Sequence, residues 1–293
     1  MKLLRNFSAR LPFGSNAGRK VAFKSLGTVI MAVLGLAMLV PFFWMISTSL
    51  KIQGDVYKFP VEWFPKLPQF GNYKTVWLDQ DPPFFIYYWN SIKIAVICVI
   101  GDLITSSLAA YAFARLQFKG RDQLFLLYLV TMMIPFQVLM VPQFMLFRWM
   151  GIYNTHWALI LPRLFTPLGT FLLRQYFLTV PFELSEAARV DGASEFRTFW
   201  QIVLPLAKPA LASLAILSFV WRWNDYEGPL IFLTNRQLYT VPLGLTNFID
   251  EAGNQQDTLI MAASVSAFLP ILIVFLLGQK YFIEGITAGS VKG

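Results

Sequence analysis

Residues 186–205 read EAARVDGASEFRTFWQIVLP, a stretch with five charged residues that lies between two long apolar segments. Pro181 suits the first turn of a helix, and the Asp-Gly pair at 191–192 is typical of a turn. Ser194 can cap a second helix, because its side chain can accept a hydrogen bond from a backbone N–H in the first turn. The apolar stripe of that second helix follows a helical spacing and consists of Phe196, Phe199, Trp200 and Val203. Pro205 should end the helix, so the stretch predicts two short helices outside the apolar spans.

The composition indicates an integral membrane protein. The 293 residues are 56% hydrophobic and only 14% charged, with a mean hydropathy of +0.56. Soluble domains are about 45–50% apolar and about 25% charged. The single cysteine, Cys98, and the single histidine, His156, leave no disulfide, no cysteine metal site and no imidazole cluster. We therefore expect no metal site, no catalytic residues and no enzymatic activity in this chain.

Six apolar segments are long enough to cross a bilayer, for which about 20 helical residues are needed. They lie at about residues 28–46, 91–113, 124–147, 157–178, 207–233 and 259–282. Pro135 and Pro142 predict a bend in the third span. Gly101, Thr105 and Ala109 form a seam of small residues along the second span, which favours close helix packing. The sequence thus predicts an all-α polytopic membrane protein with six transmembrane helices.

The distribution of basic residues predicts the orientation of these spans. The N-terminal tail, residues 1–27, is basic and contains no acid, and well over half of the 24 Lys and Arg fall on its side of the membrane. The positive-inside rule then places both termini in the cytoplasm. The segment 49–90 becomes an external loop of the transmembrane domain 28–293, and the loop 181–205 lies in the cytoplasm between spans four and five. The net charge of +8 is explained by this topology, so we expect no nucleic-acid partner.

The spacing of the stretch 186–205 resembles a known signature. Written as Glu-Ala-Ala, three residues, Gly, nine residues, Ile, one residue and Leu-Pro, it resembles the loop of permease subunits of ABC importers. The resemblance implies that the loop docks into a cleft of a separate ATPase subunit and passes its motion to the membrane helices. The residues to which it assigns this coupling are Glu186, Ala187, Ala188, Asp191, Gly192, Phe196, Phe199 and Trp200. The alternative is a surface helical hairpin or a helix at the lipid interface.

Further stretches between residues 85 and 293 resemble the carbohydrate, maltose-type branch of these permeases. They are Asn90-Ser91, 110–115, Ile134-Pro135, 223–225, 228–230, 285–289 and Lys292-Gly293. The resemblance implies a multi-pass subunit of the bacterial or archaeal cytoplasmic membrane. Its implied partners are a second, different permease, two ATPase subunits and an extracytoplasmic solute-binding protein. The chain has no phosphate-binding loop, so ATP and Mg are expected on the ATPase and no cofactor is expected here.

Four charged residues fall within the predicted spans: Asp102, Arg163, Arg222 and Asp225. Charges at membrane depth normally pair or face a wet cavity. The structural interpretation pairs Arg222 with Asp225, three residues on, and Asp102 with Arg163. The functional interpretation places a substrate pathway at Trp221, Arg222, Trp223, Asn224, Tyr226, Asp102 and Arg163. Aromatic faces suit a sugar or oligosaccharide, and an arginine left unpaired would favour an anionic, uronic oligosaccharide or another polar solute.

Two other classes of protein compete with this interpretation. An ion-coupled secondary transporter would use intramembrane acids such as Asp102 and Asp225. It has no need of the signature loop at 186–205. A membrane-embedded enzyme is disfavoured because the chain has a single histidine and a single cysteine. The sequence therefore favours a permease subunit of an ATP-driven sugar importer.

Overall fold

The computed structural model describes residues 16–248 and 256–290, with side chains at 24–248 and 256–280. Over these ranges the chain is helical and contains no strand, so the predicted all-α class is confirmed. Residues 1–15, which include much of the basic N-terminal tail, and residues 249–255 and 291–293 lie outside the described ranges.

Within the described ranges, three helices are long and apolar enough to cross a membrane alone. They are α1 (Asn16–Ser49), α3 (Phe84–Arg115) and α14 (Asp257–Ser290). Their apolar parts cover the first, second and last predicted spans. The predicted external loop 49–90 is partly structured, with a 3-10 turn at Gln53–Asp55 and a helix, α2, at Gly71–Leu78.

The other predicted spans are made of shorter helices. These are α4 (Arg121–Val130), α5 (Phe136–Trp149), α6 (Trp157–Ile160), α7 (Pro167–Thr179), α11 (Lys208–Trp223) and α12 (Glu227–Phe232). Between α7 and α11 lie α8 (Phe182–Val190), α9 (Glu195–Thr198), a π turn (Phe199–Val203) and α10 (Leu204–Leu206). One more short helix, α13 (Val241–Gly244), precedes α14.

Proline and the residues before it explain two of the helix breaks. The predicted bend in span three is confirmed: α4 with its 3-10 extension and α5 meet at 95°. Ile134 is extended there, as the residue before a proline usually is. Span four is broken between α6 and α7. Pro167 opens α7, and the Thr166 side chain accepts a hydrogen bond from the Gly169 N–H as its N-cap.

Span α3 packs closely against the break before α7. A Cβ atom on Gly101 would overlap the Leu164 side chain, and the Thr105 hydroxyl donates to the Leu164 carbonyl. A Cβ on Gly169 would lie 2.7 Å from the Ser106 hydroxyl. The small-residue seam predicted along span two is therefore confirmed at Gly101 and Thr105, where it admits the broken span four.

Two buried clusters stabilise the ends of the bundle. The inner cluster joins α3, α7, the π turn and α11 through Ala110, Tyr111, Ala114, Leu173, Phe177, Phe199, Val203, Ala207 and Leu214. The outer cluster joins α2, α3, α11, α13 and α14 through Val76, Phe84, Tyr87, Trp223, Val241, Phe248, Ala262 and Ala263. The 181–205 loop is thus packed against the bundle and does not hang free of it.

Candidate functional site

The turn in the 181–205 loop is a Schellman motif whose left-handed position favours glycine. Gly192 has φ +81°, a left-handed conformation that favours glycine. The Ala193 N–H donates to the Ala188 carbonyl at 2.9 Å, and the Gly192 N–H donates to the Arg189 carbonyl at 3.0 Å. After the turn, the Ser194 side chain accepts a hydrogen bond from the Arg197 N–H. The predicted two helices, turn and cap are all present.

The second helix of the loop continues further than expected. Its helical run, Glu195–Leu206, includes Pro205 in the last turn and breaks at Ala207. There it meets α11 at 78°. The expectation that Pro205 ends the helix was therefore wrong by one residue.

The loop is attached to the end of α3 by one carboxylate. Glu195 accepts a hydrogen bond from the Arg189 guanidinium at 2.8 Å and one from the Tyr111 hydroxyl at 2.8 Å. The Arg189 contact, together with that of Tyr111, holds the pKa of Glu195 below its usual value despite partial burial. The contribution of this pair to stability is present at neutral pH and is lost only as the pH falls through that lowered pKa. The Phe199 ring also packs edge-on against Tyr111, with ring centroids 5.2 Å apart.

The apolar stripe of the loop is divided between two surroundings. Phe199 and Val203 are buried in the inner cluster, whereas Phe196 and Trp200 are 67% and 60% exposed. Residues 199 and 203 form one ridge along this helix, and residues 196 and 200 form the neighbouring ridge. A helix lying on the bundle can therefore bury one ridge and expose the other.

The predicted coupling residues therefore do not share one surface. Phe199 and Ala188 are buried against other parts of this chain, so neither belongs to the exposed surface of the loop. Glu186, Ala187, Asp191, Gly192, Phe196 and Trp200 are exposed. The sequence analysis missed Val190, which is 88% exposed beside them. The exposed ridge at 196 and 200, with Val190, forms the outer surface of the loop.

The charged residues within the spans pair differently from the expectation. Arg163 and Asp225 form an ion pair at 2.6 Å, with both side chains mostly buried. Asp225 also accepts a hydrogen bond from the Gly228 N–H at 3.2 Å, near the start of α12. A Cβ on Gly228 would lie 2.9 Å from the Arg163 guanidinium, so the glycine makes room for the pair. The pair thereby joins the break before α7 to the break before α12.

Both predicted pairings were wrong. Arg222 forms no ion pair in the described part of the chain, and its Nε is buried without a hydrogen-bond partner. Helix α11 ends at Trp223, so helical i, i+3 geometry does not reach Asp225. The fully buried Asp102 accepts hydrogen bonds from the Ser106 and Thr166 hydroxyls instead of pairing with Arg163.

The candidate pathway residues on span five differ in exposure. Trp223 is buried, and its indole N–H donates to the Ala267 carbonyl at 2.9 Å, so it does not offer an open ring face. Trp221 and Tyr226 are each 40% exposed, and Asn224 is exposed. A cavity of about 280 Å³ lies beside Trp223 and Asn224, between α1, α13 and α14, and its lining is mainly apolar. Of the predicted pathway residues on span five, Trp221, Asn224 and Tyr226 are thus exposed and Arg222 is half-buried.

Arg115 is a functional candidate that the sequence analysis missed. Its side chain is 4% exposed and donates to the carbonyls of Phe177 and Val180 at 2.7 and 2.6 Å. It thereby satisfies the C-terminal end of α7, immediately before the loop begins. In the sequence it is the last residue of the family-like stretch 110–115, and the sequence analysis assigned no role to it. The described residues contain no group of three or more His, Cys, Asp or Glu placed to hold a metal.

Comparison with known proteins gives one family and several relatives. Residues 102–287 match the family described as "Binding-protein-dependent transport system inner membrane component". The chain is 37% identical over 268 residues to the arabinooligosaccharides transport system permease protein AraQ of Bacillus subtilis, covering 91% of this chain and 95% of the relative. It is also 37% identical over 270 residues to the trehalose/maltose transport system permease protein MalG of Thermococcus litoralis, covering 92% and 95%.

A solved structure resembles the whole fold. It is a chain of a bacterial ABC transporter involved in the import of the acidic polysaccharide alginate. The two chains are 27% identical with a TM-score of 0.81, covering 93% of this chain and 100% of that one. The overall arrangement of the helices is therefore shared with a chain of a membrane transporter.

The Arg163–Asp225 pair generates a stability prediction. Arg163→Gln or Asp225→Asn alone leaves the other charge buried without a partner, at a cost of about 3–5 kcal/mol. We expect each single variant to have a lower thermal unfolding midpoint in detergent and a lower amount in the membrane. The double variant should recover most of both.

Arg222→Gln is the matched control for that experiment, because it removes a charge from the same region without breaking an ion pair. It should unfold at the wild-type temperature. Single variants as stable as wild type, or an Arg222→Gln variant as unstable as they are, would show that the pair does not stabilise the two breaks.

Proposed function

Because this chain belongs to the family of binding-protein-dependent transport system inner membrane components, we propose that it is the permease subunit of an ATP-driven importer for a sugar or oligosaccharide. It forms half of the translocation pathway. The observation that carries the proposal is the 181–205 loop, which is fixed to the bundle yet exposes an apolar outer surface at Phe196 and Trp200. Similarity over nine-tenths of the chain to permeases named for arabinooligosaccharides and for trehalose and maltose supports a carbohydrate substrate.

The proposed topology has six spans and both termini in the cytoplasm. Spans three, four and five are the broken helix pairs α4–α5, α6–α7 and α11–α12. The bias of Lys and Arg toward alternate loops supports this orientation. The loop 181–205 then lies in the cytoplasm, where ATP is available. The chain is a multi-pass protein of a bacterial or archaeal cytoplasmic membrane.

The assembly we propose contains four further subunits or proteins besides the bilayer. They are a second, different permease, two ATPase subunits that bind ATP and Mg, and an extracytoplasmic solute-binding protein. The family description itself names binding-protein-dependent transport. A neighbour in the solved structures, 14% identical with a TM-score of 0.62, is a chain of an alginate ABC transporter in complex with a periplasmic protein; at that identity it supports the fold alone.

Coupling would pass from the loop to the bundle along two routes. One is covalent, from the end of the loop at Leu206 through the 78° break into α11. The other is the contact of Glu195 and Phe199 with Tyr111 at the end of α3. Since α3 also packs against the break before α7, movement of the loop would be transmitted to two spans. Glu186, Ala187, Asp191 and Gly192 lie at the exposed end of the loop, where an ATPase cleft could receive them.

Docking can be tested by comparing the two ridges of the loop helix. Trp200→Asp places a charge on the exposed ridge and should leave thermal stability within about 0.5 kcal/mol of wild type. We expect it to abolish co-purification of the ATPase, because the charge would be desolvated in the cleft. Phe199→Asp should instead destabilise the chain itself by several kcal/mol, on the order expected for an unpaired buried charge.

Trp200→Phe is the conservative control and should retain the ATPase. The measurements are ATPase stoichiometry after affinity purification and the unfolding midpoint of each variant. If Trp200→Asp retains the ATPase at normal stoichiometry, another surface makes the contact.

The Gly192 turn gives a second test of coupling. A Cβ atom at Gly192 meets nothing within 4 Å, so substitution there strains only the backbone. Gly192→Val should strain it by about 1–2 kcal/mol or more in the left-handed region, misdirect the outer surface and reduce uptake at normal membrane levels. Asn tolerates positive φ, so Gly192→Asn should transport almost normally. Equal uptake by the Val and Asn variants would contradict the role of the turn.

A second candidate substrate is an anionic, uronic oligosaccharide. The observation that favours it is Arg222, which is half-buried and has no ion pair in the described part of the chain. The structural neighbour that imports acidic alginate is consistent with this candidate. Against it, Asp102 and Asp225 place two acids near Arg163 and Arg222, so the region need not carry a net positive charge.

Uptake of matched neutral and uronic oligosaccharides by Arg222→Gln separates the two candidates. If the substrate is anionic, the variant should lose uptake of the uronic oligosaccharide by about tenfold or more, the effect of losing roughly 1.4 kcal/mol. Neutral uptake should persist, and Arg222→Lys should keep part of the anionic uptake. Loss of both activities to the same extent would exclude a charge-specific role for Arg222.

A further inference from the structure

The segment between α1 and α2 exposes an unusual number of large apolar side chains. Phe59 is 93% exposed, Tyr57 79%, Phe64 74%, Leu67 73% and Phe70 70%. Single exposed apolar residues are normal on a protein surface, but a contiguous set of this size indicates contact with a partner or a membrane. The exposure of these side chains is not explained by the sugar that the chain is proposed to transport.

The middle of this segment folds back along the last turns of α1. The Ser47 hydroxyl donates to the Trp63 carbonyl, and the Trp63 ring packs edge-on against Trp44 with centroids 5.6 Å apart. The Phe64 ring packs against Phe43 at 5.3 Å. Phe43 lies six residues before the end of α1, which corresponds to about 9 Å along the helix axis. The chain therefore returns from the helix end toward the depth of the apolar span.

The returning chain is fixed in this position at both ends. At the end of α1, the Asn72 side-chain amide donates to the carbonyls of Ser49 and Lys51, both at 2.9 Å. Lys51 is itself buried and lies over the Trp44 ring at 4.1 Å from its centroid. The exposed apolar residues thus belong to an anchored segment.

The charges of the segment are paired within the segment. Lys58 forms an ion pair with Asp55, and Lys66 forms one with Glu62 at 2.9 Å. Residues 52–70 contain two lysines and two carboxylates, matched in these two pairs, and Lys51 is buried. The exposed part of the segment therefore has no excess charge for a strongly charged protein partner. Paired charges with aromatic and aliphatic neighbours suit the boundary between lipid headgroups and acyl chains.

We infer that residues 57–70 form an interfacial segment embedded in the leaflet at the C-terminal end of α1. The argument rests on continuity with the exposed apolar face of α1. One side of α1 packs on α14, where the Phe42 and Phe268 rings are 4.9 Å apart. Phe43, the next residue of the helix, packs against Phe64, and both rings remain partly exposed. The segment therefore widens the apolar surface of span one at its end. This inference rests on the membrane position of α1 in the proposed permease and not on its substrate.

Depth-dependent fluorescence quenching tests the inference. Single cysteines replacing Phe64 or Phe70 are labelled with an environment-sensitive fluorophore, and the full-length chain is reconstituted with its co-purifying subunits in phosphatidylcholine vesicles. Cys98 is buried, so the unsubstituted chain is the control for background labelling. Lys74→Cys on exposed α2 is the matched control outside the segment.

Nitroxide groups on the upper acyl chain should quench the labels at 64 and 70 at least about twofold more than the label at 74, as expected for side chains inserted at the interface. Quenching of these labels mainly by aqueous iodide would overturn the inference. Protection from both quenchers would overturn it as well, because another protein would then cover the segment.

A membrane-impermeant reductant separates this inference from the proposed topology. Added outside the vesicles, it should bleach the label at 74 in the population inserted with the binding-protein side outward. If the label at 74 has the opposite orientation while 64 and 70 remain quenched by lipid, the topology is wrong but the interfacial segment stands. If the label at 74 has the expected orientation but lipid does not quench 64 and 70, the interfacial segment is wrong and the topology stands.

Discussion

The structure depends on the requirement that backbone groups freed by a broken helix find partners inside the protein at membrane depth. Two helix starts at the breaks, and the end of α7 before the loop, are stabilised by polar side chains. Thr166 caps α7 and is held by buried Asp102. Asp225 binds the Gly228 N–H near the start of α12 while it pairs with Arg163, and Arg115 satisfies carbonyls at the end of α7. Charged side chains, which cost free energy in a bilayer, therefore lie beside backbone groups that would otherwise lack hydrogen-bond partners.

These same contacts give α3 its central role. Along one face it carries Gly101, Thr105 and Asp102, which contact the break before α7. At its end, Tyr111 contacts Glu195 of the loop. An uninterrupted helix that touches both a break and the loop can move them together, since a rigid element transmits displacement along its length. The two broken spans joined by Arg163 and Asp225 would follow as one unit.

A membrane protein also has apolar surface that contacts lipid or other proteins instead of water. In the loop stripe, Phe199 is buried and Trp200 is exposed. Burial of Phe199 therefore stabilises the fold of this chain, and Trp200 is left for docking. The aromatic segment after α1 shows a similar division. There Phe64 packs on Phe43, and the two rings extend the apolar surface at the C-terminal end of α1. In both places, neighbouring apolar residues are buried against different surroundings, and only their position in the fold distinguishes them.

The sequence alone determined what depends on local chemistry. The apolar segments predicted the helical membrane class, Pro135 the bend in span three, and Asp-Gly followed by Ser194 the turn and cap of the loop. These features follow from backbone sterics and short-range hydrogen bonds, which are the same in any fold. Only the tertiary structure decided which partners meet. Asp225 pairs with Arg163 across two spans because α11 ends before it reaches the helical i, i+3 position from Arg222. Likewise, Phe199 is buried because Tyr111 lies beneath it, a contact between residues 88 positions apart in the chain, which no local pattern encodes.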